Sequence, residues 1–145
     1  MSGPRPRRPP ALTSWLWAVQ GLLALVFLLA GGLKLVLPLE QMTGPVPLPG
    51  ALLRFIGVAE VLGAVGLVLP GLLGIRPALT PLAGAGLVVI MVGATGITLA
   101  GGQVLPALIP LGVGLLAAFI AYGRWRLAPL PARAARPRSR DRTDR

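Results

Sequence analysis

Four long apolar stretches, separated by short breaks of Pro, Gly and polar residues, organise the chain. The first runs from about Trp15 to Leu37 and stops at Pro38, and the second from about Ala51 to Leu69, stopping at Pro70 and Gly71. The third runs from about Ala78 to Ala100 and ends at Gly101 and Gly102. The fourth runs from about Val104 to Tyr122, followed by Gly123 and a burst of Arg. Each is close to the roughly 20 residues that a helix needs to cross the hydrocarbon core of a bilayer. A membrane β-barrel would require alternating apolar and polar residues, and Leu22 to Ala30 and Gly86 to Val92 do not alternate. The pattern therefore predicts transmembrane helices over residues 15–37, 51–69, 78–100 and 104–122. Pro81 and Pro106 fall in first turns, where no backbone donor is lost. Pro110, about two turns into the fourth helix, predicts a kink.

Composition sharpens this reading. Of 145 residues, 54% are apolar and 12% charged, against about a quarter charged in soluble domains. Between the N-terminal Arg5, Arg7 and Arg8 and the C-terminal cluster that begins at Arg124, only Lys34, Glu40, Arg54, Glu60 and Arg76 are charged. A soluble chain so poor in charge would precipitate. The expected class is all-α: an integral membrane bundle of four transmembrane helices. It divides into a basic tail (1–13), the helical domain (14–123) and an Arg-rich tail (124–145) expected to be disordered. The first segment resembles a signal peptide only in its basic flank. Its apolar run is too long for an h-region and no small-x-small cleavage site follows in a polar setting, so a retained helix is expected.

The net charge of +10 does not point to nucleic acid, because the cations sit in tails flanking apolar runs and not on a folded face among stacking aromatics. Placing both termini in the cytoplasm puts 12 of the 14 cations inside, as the positive-inside rule requires. Trp15, Trp17, Tyr122 and Trp125 then fall at the inner interface. The expected location is the cell inner (plasma) membrane, multi-pass, N-in and C-in. The C-terminal tail either fixes topology alone or also holds anionic lipid, at about 1 kcal/mol per cation near the surface. With no Cys and no His, the chain has no thiol chemistry, no thiolate metal site and no His-ligated metal or haem.

Small residues recur at helical spacing, which lets membrane helices approach closely. Gln20, Ala24, Phe27, Gly31 and Lys34 share one face of the first helix, and Gly57, Glu60, Gly63 and Ala64 one side of the second. On the third, Gly84, Val88, Met91, Thr95 and Thr98 compete with a face carrying Gly86, Gly93 and Gly96. Ala107, Pro110, Gly114, Ala117 and Ala121 form a stripe on the fourth. Such seams predict a left-handed four-helix bundle.

Charges at membrane depth cost roughly 2.5–3.5 kcal/mol each and need a partner or a purpose. Glu60 lies about 13 Å into its helix, near the midplane, and Lys34 about 5 Å below the outer end of the first. Helical side chains lean toward their own N-terminus, so Lys34 leans inward and Glu60 outward, and the two converge. A buried Lys34–Glu60 interaction is predicted, with Arg54 a third member, an anion contact or a snorkelling headgroup ligand. The pair either locks helix register or marks a polar site for a proton, a quinone headgroup or another small ligand. Thr95 and Thr98 offer hydroxyls to such a site, although the simpler expectation is a bond to their own helix backbone. Glu40, in a loop rich in Pro and Gly, reads as solvated.

These residues resemble the DoxX-like family of four-helix bacterial membrane proteins. The matching stretches are Ala30-Gly31-Gly32-Leu33-Lys34-Leu35 and Arg54-Phe55-Ile56-Gly57-Val58-Ala59-Glu60-Val61-Leu62-Gly63, together with Gly74-Ile75-Arg76-Pro77 and Leu79-Thr80-Pro81-Leu82-Ala83. The resemblance covers roughly residues 15–122. It implies an inner-membrane bundle that serves a redox- or stress-related assembly, with a membrane or redox protein partner and a quinone as the cofactor class to consider. Many relatives carry a His near the outer end of the third helix, where this chain has Thr98, so His-dependent proton or metal chemistry does not carry over.

The leading functional expectation is a non-catalytic membrane subunit or a binder of a small ligand, quinone or lipid, at Lys34, Glu60, Arg54 and Thr98. The alternative is a small proton-coupled transporter using Glu60. Small multidrug transporters, however, carry their Glu in the first helix within an aromatic cage, whereas Glu60 is in the second with Phe55 its nearest aromatic in sequence. A purely structural assembly factor is a third reading. No catalytic constellation or phosphate-binding Gly loop is present, which argues against an enzyme.

Overall fold

The computed structural model describes residues 10–42, 44, 46–127 and 130. Four helices dominate: α1 (Pro10–Val36), α2 (Gly50–Leu73), α3 (Leu79–Ala100) and α4 (Val104–Tyr122), the last continuing through a π-helical turn, Gly123–Leu127. A short 3₁₀ turn, Leu39–Gln41, lies in the α1–α2 connection, and no strand occurs among the described residues. All four helices are long and apolar enough to span a bilayer. Their outward faces are apolar too: Leu22, Leu29, Phe55, Leu62, Val89 and Leu115 are all exposed. So much exposed apolar surface suits hydrocarbon and not water. The chain is a multi-pass membrane protein.

Helix ends depart from the predicted bounds in ways that Pro chemistry explains. Pro10 opens α1 because a first-turn Pro gives up a donor that has no partner anyway, so α1 begins earlier than residue 15. Pro70 does not stop α2, which runs on to Leu73; at membrane depth the loss of one backbone bond is tolerated where neighbours pack around it. Gly74 ends that helix with φ 64° and ψ 25°, and the Ile75 N–H reaches back to the Pro70 carbonyl at 3.2 Å. This is a Schellman-type ending, which favours Gly for its left-handed backbone. The turn into α3 then places Arg76 at φ 42°, a conformation uncommon for a residue with a side chain.

The bundle consists of two hairpins. Within the first, α1 crosses α2 at Gly31 and Gly57. A Cβ on Gly31 would lie 2.7 Å from the Gly57 carbonyl oxygen, and one on Gly57 would lie 3.0 Å from the Gly31 oxygen. Within the second hairpin, Gly84 faces Ala117 and Ala121, and Gly114 faces the Cβ of Met91. These are the faces the small-residue spacing predicts, and they decide the competition on α3. Gly84 packs, while Gly86, Gly93 and Gly96 have open space where a Cβ would be.

The hairpins meet mainly in the half of the bundle where α1 begins and α4 ends, called here the terminal end. There Gly63 abuts Leu87, Gly66 abuts Ala83, and Gly123 abuts Leu16. The core around these contacts comprises Leu16, Leu23, Phe27, Ala64, Leu67, Leu87, Met91, Ala117 and Ile120. Toward the opposite, loop end, α3 has no buried residue beyond Met91, and α1 and α4 share the shortest seam of any neighbouring pair. The hairpins are joined at one end and splayed at the other, and the splay leaves a cavity.

Candidate functional site

Glycine brings the two membrane charges together. Because Gly31 and Gly57 let the α1 and α2 backbones touch, the residues one turn further along each helix, Lys34 and Glu60, meet across the seam. Lys34 Nζ donates to Glu60 Oε2 at 2.8 Å. Glu60 is 2% exposed, whereas the Lys34 side chain keeps 30% of its surface. An ion pair here limits the cost that either charge would incur alone in lipid. The predicted pairing is present in the structure.

Arg54 does not join the ion pair. Its guanidinium reaches over the end of α1, where Nη1 donates to the Lys34 carbonyl and Nη2 to the Leu37 carbonyl at 2.8 Å. The last carbonyls of a helix lack intrahelical donors and carry the negative end of its dipole. Arg54 therefore caps α1 and fixes the backbone of Lys34, a positioning role. The hydroxyls of Thr95 and Thr98 donate to the carbonyls of Met91 and Ala94, at 2.7 and 2.8 Å, each within its own helix, in keeping with the simpler expectation.

Lys34, Glu60 and Thr98 nonetheless line one cavity, of about 550 Å³, between the splayed hairpins. Its other walls are almost wholly apolar: Phe27 from α1, Ile56 from α2, Ile90 and Ile97 from α3, Ile109 and Val113 from α4. Arg54 is not among its lining residues. An apolar chamber with a few convergent polar groups is the usual make-up of a small-molecule site. No group of three or more His, Cys, Asp or Glu side chains able to hold a metal ion occurs among the described residues.

A second polar cluster closes the terminal end. Arg124, 2% exposed, donates from Nε to Gln20 Oε1 at 2.8 Å, and Gln20 Nε2 donates in turn to the Leu67 carbonyl. The Arg124 guanidinium carbon lies 4.9 Å from the centre of the Trp17 ring, within cation–π range. Three helices are thereby bound together. The sequence expectation that a disordered tail begins at Arg124 is corrected here: residues 124–127 continue the helix and Arg124 is interior. Residues 131–145 of that tail, and residues 1–9, lie outside the described residues. The available signal was Gln20, an amide inside an apolar span with no partner in its own segment.

A protein-family model described as the DoxX-like family matches residues 18–120. No curated protein and no solved structure matches the chain. The matched stretch contains the Gly31–Gly57 crossing, the Lys34–Glu60 pair, Arg54 and Thr98, and stops just short of Arg124.

Proposed function

The chain belongs to the DoxX-like family, and from that premise we propose that it is a non-catalytic inner-membrane protein that binds a small ligand, a quinone or a lipid, at the Lys34–Glu60 pair, as a subunit of a redox- or stress-related assembly. The observation that carries this reading is the ion pair on the wall of an otherwise apolar chamber of about 550 Å³, within the size range of small-molecule sites. A pair that served packing alone would have no need of the space beside it. Lys34 has three donors and spends one on Glu60, so the ammonium can also bind a carbonyl oxygen in the chamber.

A second reading, proton-coupled transport through Glu60, draws support from the one-sided access. The chamber lies at the loop end, while Gln20, Arg124 and Leu16 close the terminal end. Against it, Lys34 already neutralises Glu60. The distribution of cations supports both termini in the cytoplasm, so that the chamber faces the outer leaflet.

The test is purification in mild detergent at native expression level, with mass spectrometry of co-purified proteins, lipids and quinones. A quinone or lipid that the wild type retains and that Lys34→Met and Glu60→Gln lose while still folded is the expected result. Retention unaffected by both substitutions, or no bound molecule and no stoichiometric partner, refutes the proposal.

A further inference from the structure

We infer that the ligand of the Lys34–Glu60 chamber is a monoanion, an acidic headgroup on an apolar body, and that Arg54, without lining the chamber, supplies the charge that selects it. This rests on the reading above that the chamber is a ligand site, and adds to it the sign of the ligand's charge and the residue that sets it.

The sign follows from a charge count. In the loop-end half of the four helices, the charged side chains among the described residues are Lys34, Arg54 and Glu60. Lys34 and Glu60 cancel each other at 2.8 Å, which leaves the charge of Arg54. Its guanidinium donates to the Lys34 and Leu37 carbonyls, at the negative end of the α1 dipole, which amounts to roughly half an elementary charge. The helix end thus offsets part of the excess and leaves the rest. Glu40, exposed in the 3₁₀ turn, makes no ion pair with either cation, and solvent there screens it. The buried part of this end of the molecule is net positive.

The pair also presents its cationic member. Lys34 and Glu60 both line the chamber, but their side chains keep 30% and 3% of their surface. The carboxylate is packed away, while the ammonium has spent one donor on it and has two more to give. Arg54 holds the carbonyl of this same Lys34, so the second cation is anchored to the residue that carries the first. An unneutralised charge at membrane depth is costly. A cationic ligand adds to the excess, a neutral one leaves it, and a monoanion removes it. The anion accepts from Lys34 in a charge-assisted hydrogen bond, roughly twice as strong as a neutral one. Away from the pair, Phe27, Ile56, Ile90 and Val113 make the walls apolar, and Thr98 gives its hydroxyl proton to the Ala94 carbonyl. The body of the ligand is therefore apolar.

The experiment uses the full-length protein in phosphatidylcholine nanodiscs and three probes that share a decyl chain: decanesulfonate, decanol and decyltrimethylammonium. Affinities are expressed per mole fraction of probe in lipid, which removes simple partitioning. Decanesulfonate should bind about tenfold more tightly than decanol, and the ammonium probe should not displace it. Arg54→Gln should erase most of that preference, and Glu40→Gln should leave it unchanged. Arg54→Lys should keep it, which separates the charge from the two-carbonyl cap on α1, with thermal unfolding confirming that each variant folds. Phosphatidylglycerol and decanoate, added as competitors, distinguish a lipid headgroup from a free carboxylate as the source of the anion. Displacement of the sulfonate by either supports the inference, and displacement by neither overturns it. Equal binding of sulfonate and decanol, or a preference that survives Arg54→Gln or Lys34→Met, also overturns it; if decanol is nonetheless lost on Lys34→Met, the ligand site stands. Failure of all three probes to bind removes the ligand-site reading together with it.

Discussion

Replacing Gly31 by Ala adds one methyl group to α1 at the point where it touches α2. The new carbon would lie 2.7 Å from the Gly57 carbonyl oxygen and 3.0 Å from both Glu60 Cβ and Val61 Cγ2. Ordinary contact begins near 3.4 Å, so the helices must part by about 0.7 Å. None of the three neighbours is the free end of a long side chain that could swing aside. Overpacking of this kind costs about 1–3 kcal/mol, and the separation also lengthens the Lys34–Glu60 contact from 2.8 Å. Gly32 is the internal control, since a Cβ there meets nothing within 4 Å. Gly32→Ala should be neutral or slightly stabilising, because Ala is the better helix former. The assay is reversible unfolding in bicelles, with the α1–α2 distance followed by paired spin labels on introduced cysteines, which the Cys-free chain permits. Gly57→Ala meets the same seam from the other side, at 3.0 Å from the Gly31 oxygen. Once the first substitution has parted the helices, the second should cost less than it does alone. Equal stability of Gly31→Ala and Gly32→Ala would refute the close crossing as the device that sets the ion pair.

Three further outcomes follow from the same geometry. Glu60→Gln and Lys34→Met should each destabilise the protein, by about 3–5 kcal/mol where a buried charge is left without its partner and by less where the partly exposed Lys34 remains; if the double variant in an unfolding cycle recovers nothing, the pair is not the unit described. Gln20→Leu removes the acceptor of Arg124 Nε and the donor to Leu67, and should cost about 1–3 kcal/mol in bicelle unfolding, whereas an unchanged midpoint would mean that the cluster contributes nothing to closing the terminal end. Arg76→Gly should stabilise by about 1 kcal/mol, since the left-handed backbone that strains Arg suits Gly; Arg76→Ala, equally strained, should not, and thermal melts of the two variants would separate backbone strain from loss of charge.

Much of this architecture is legible in the sequence because the membrane makes the rules strict. Five isolated charges between the tails stand out against apolar helices, and the lean of helical side chains was enough to match Lys34 with Glu60. Small-residue spacing identified Gly31, Gly57, Gly84 and Gly114 as packing positions because lipid gives helices little other reason to associate. Arg124 was not legible as an interior residue. It opens a run of Arg and Pro that reads as solvated, and its partner Gln20 lies 104 residues away, beyond any local pattern. The role of Arg54 was equally hidden, because the carbonyls it binds belong to another helix and carry no side-chain signature. Nor does hydropathy report how far two hairpins splay, which depends on where Leu16, Leu67 and Leu87 find room to interlock.

The division into hairpins also bears on the order in which the molecule is made. Lys34 and Glu60 are 26 residues apart and sit in α1 and α2, which leave the ribosome before α3 and α4. Their charges can cancel as soon as α1 and α2 touch, before α3 and α4 exist. Contacts local in sequence form early and long-range ones late, so the docking of Gln20 to Arg124 must wait until α4 has been made. The Lys34 and Glu60 charges thus need not wait for the second hairpin, whereas the chamber, walled by all four helices, forms only once α3 and α4 have docked.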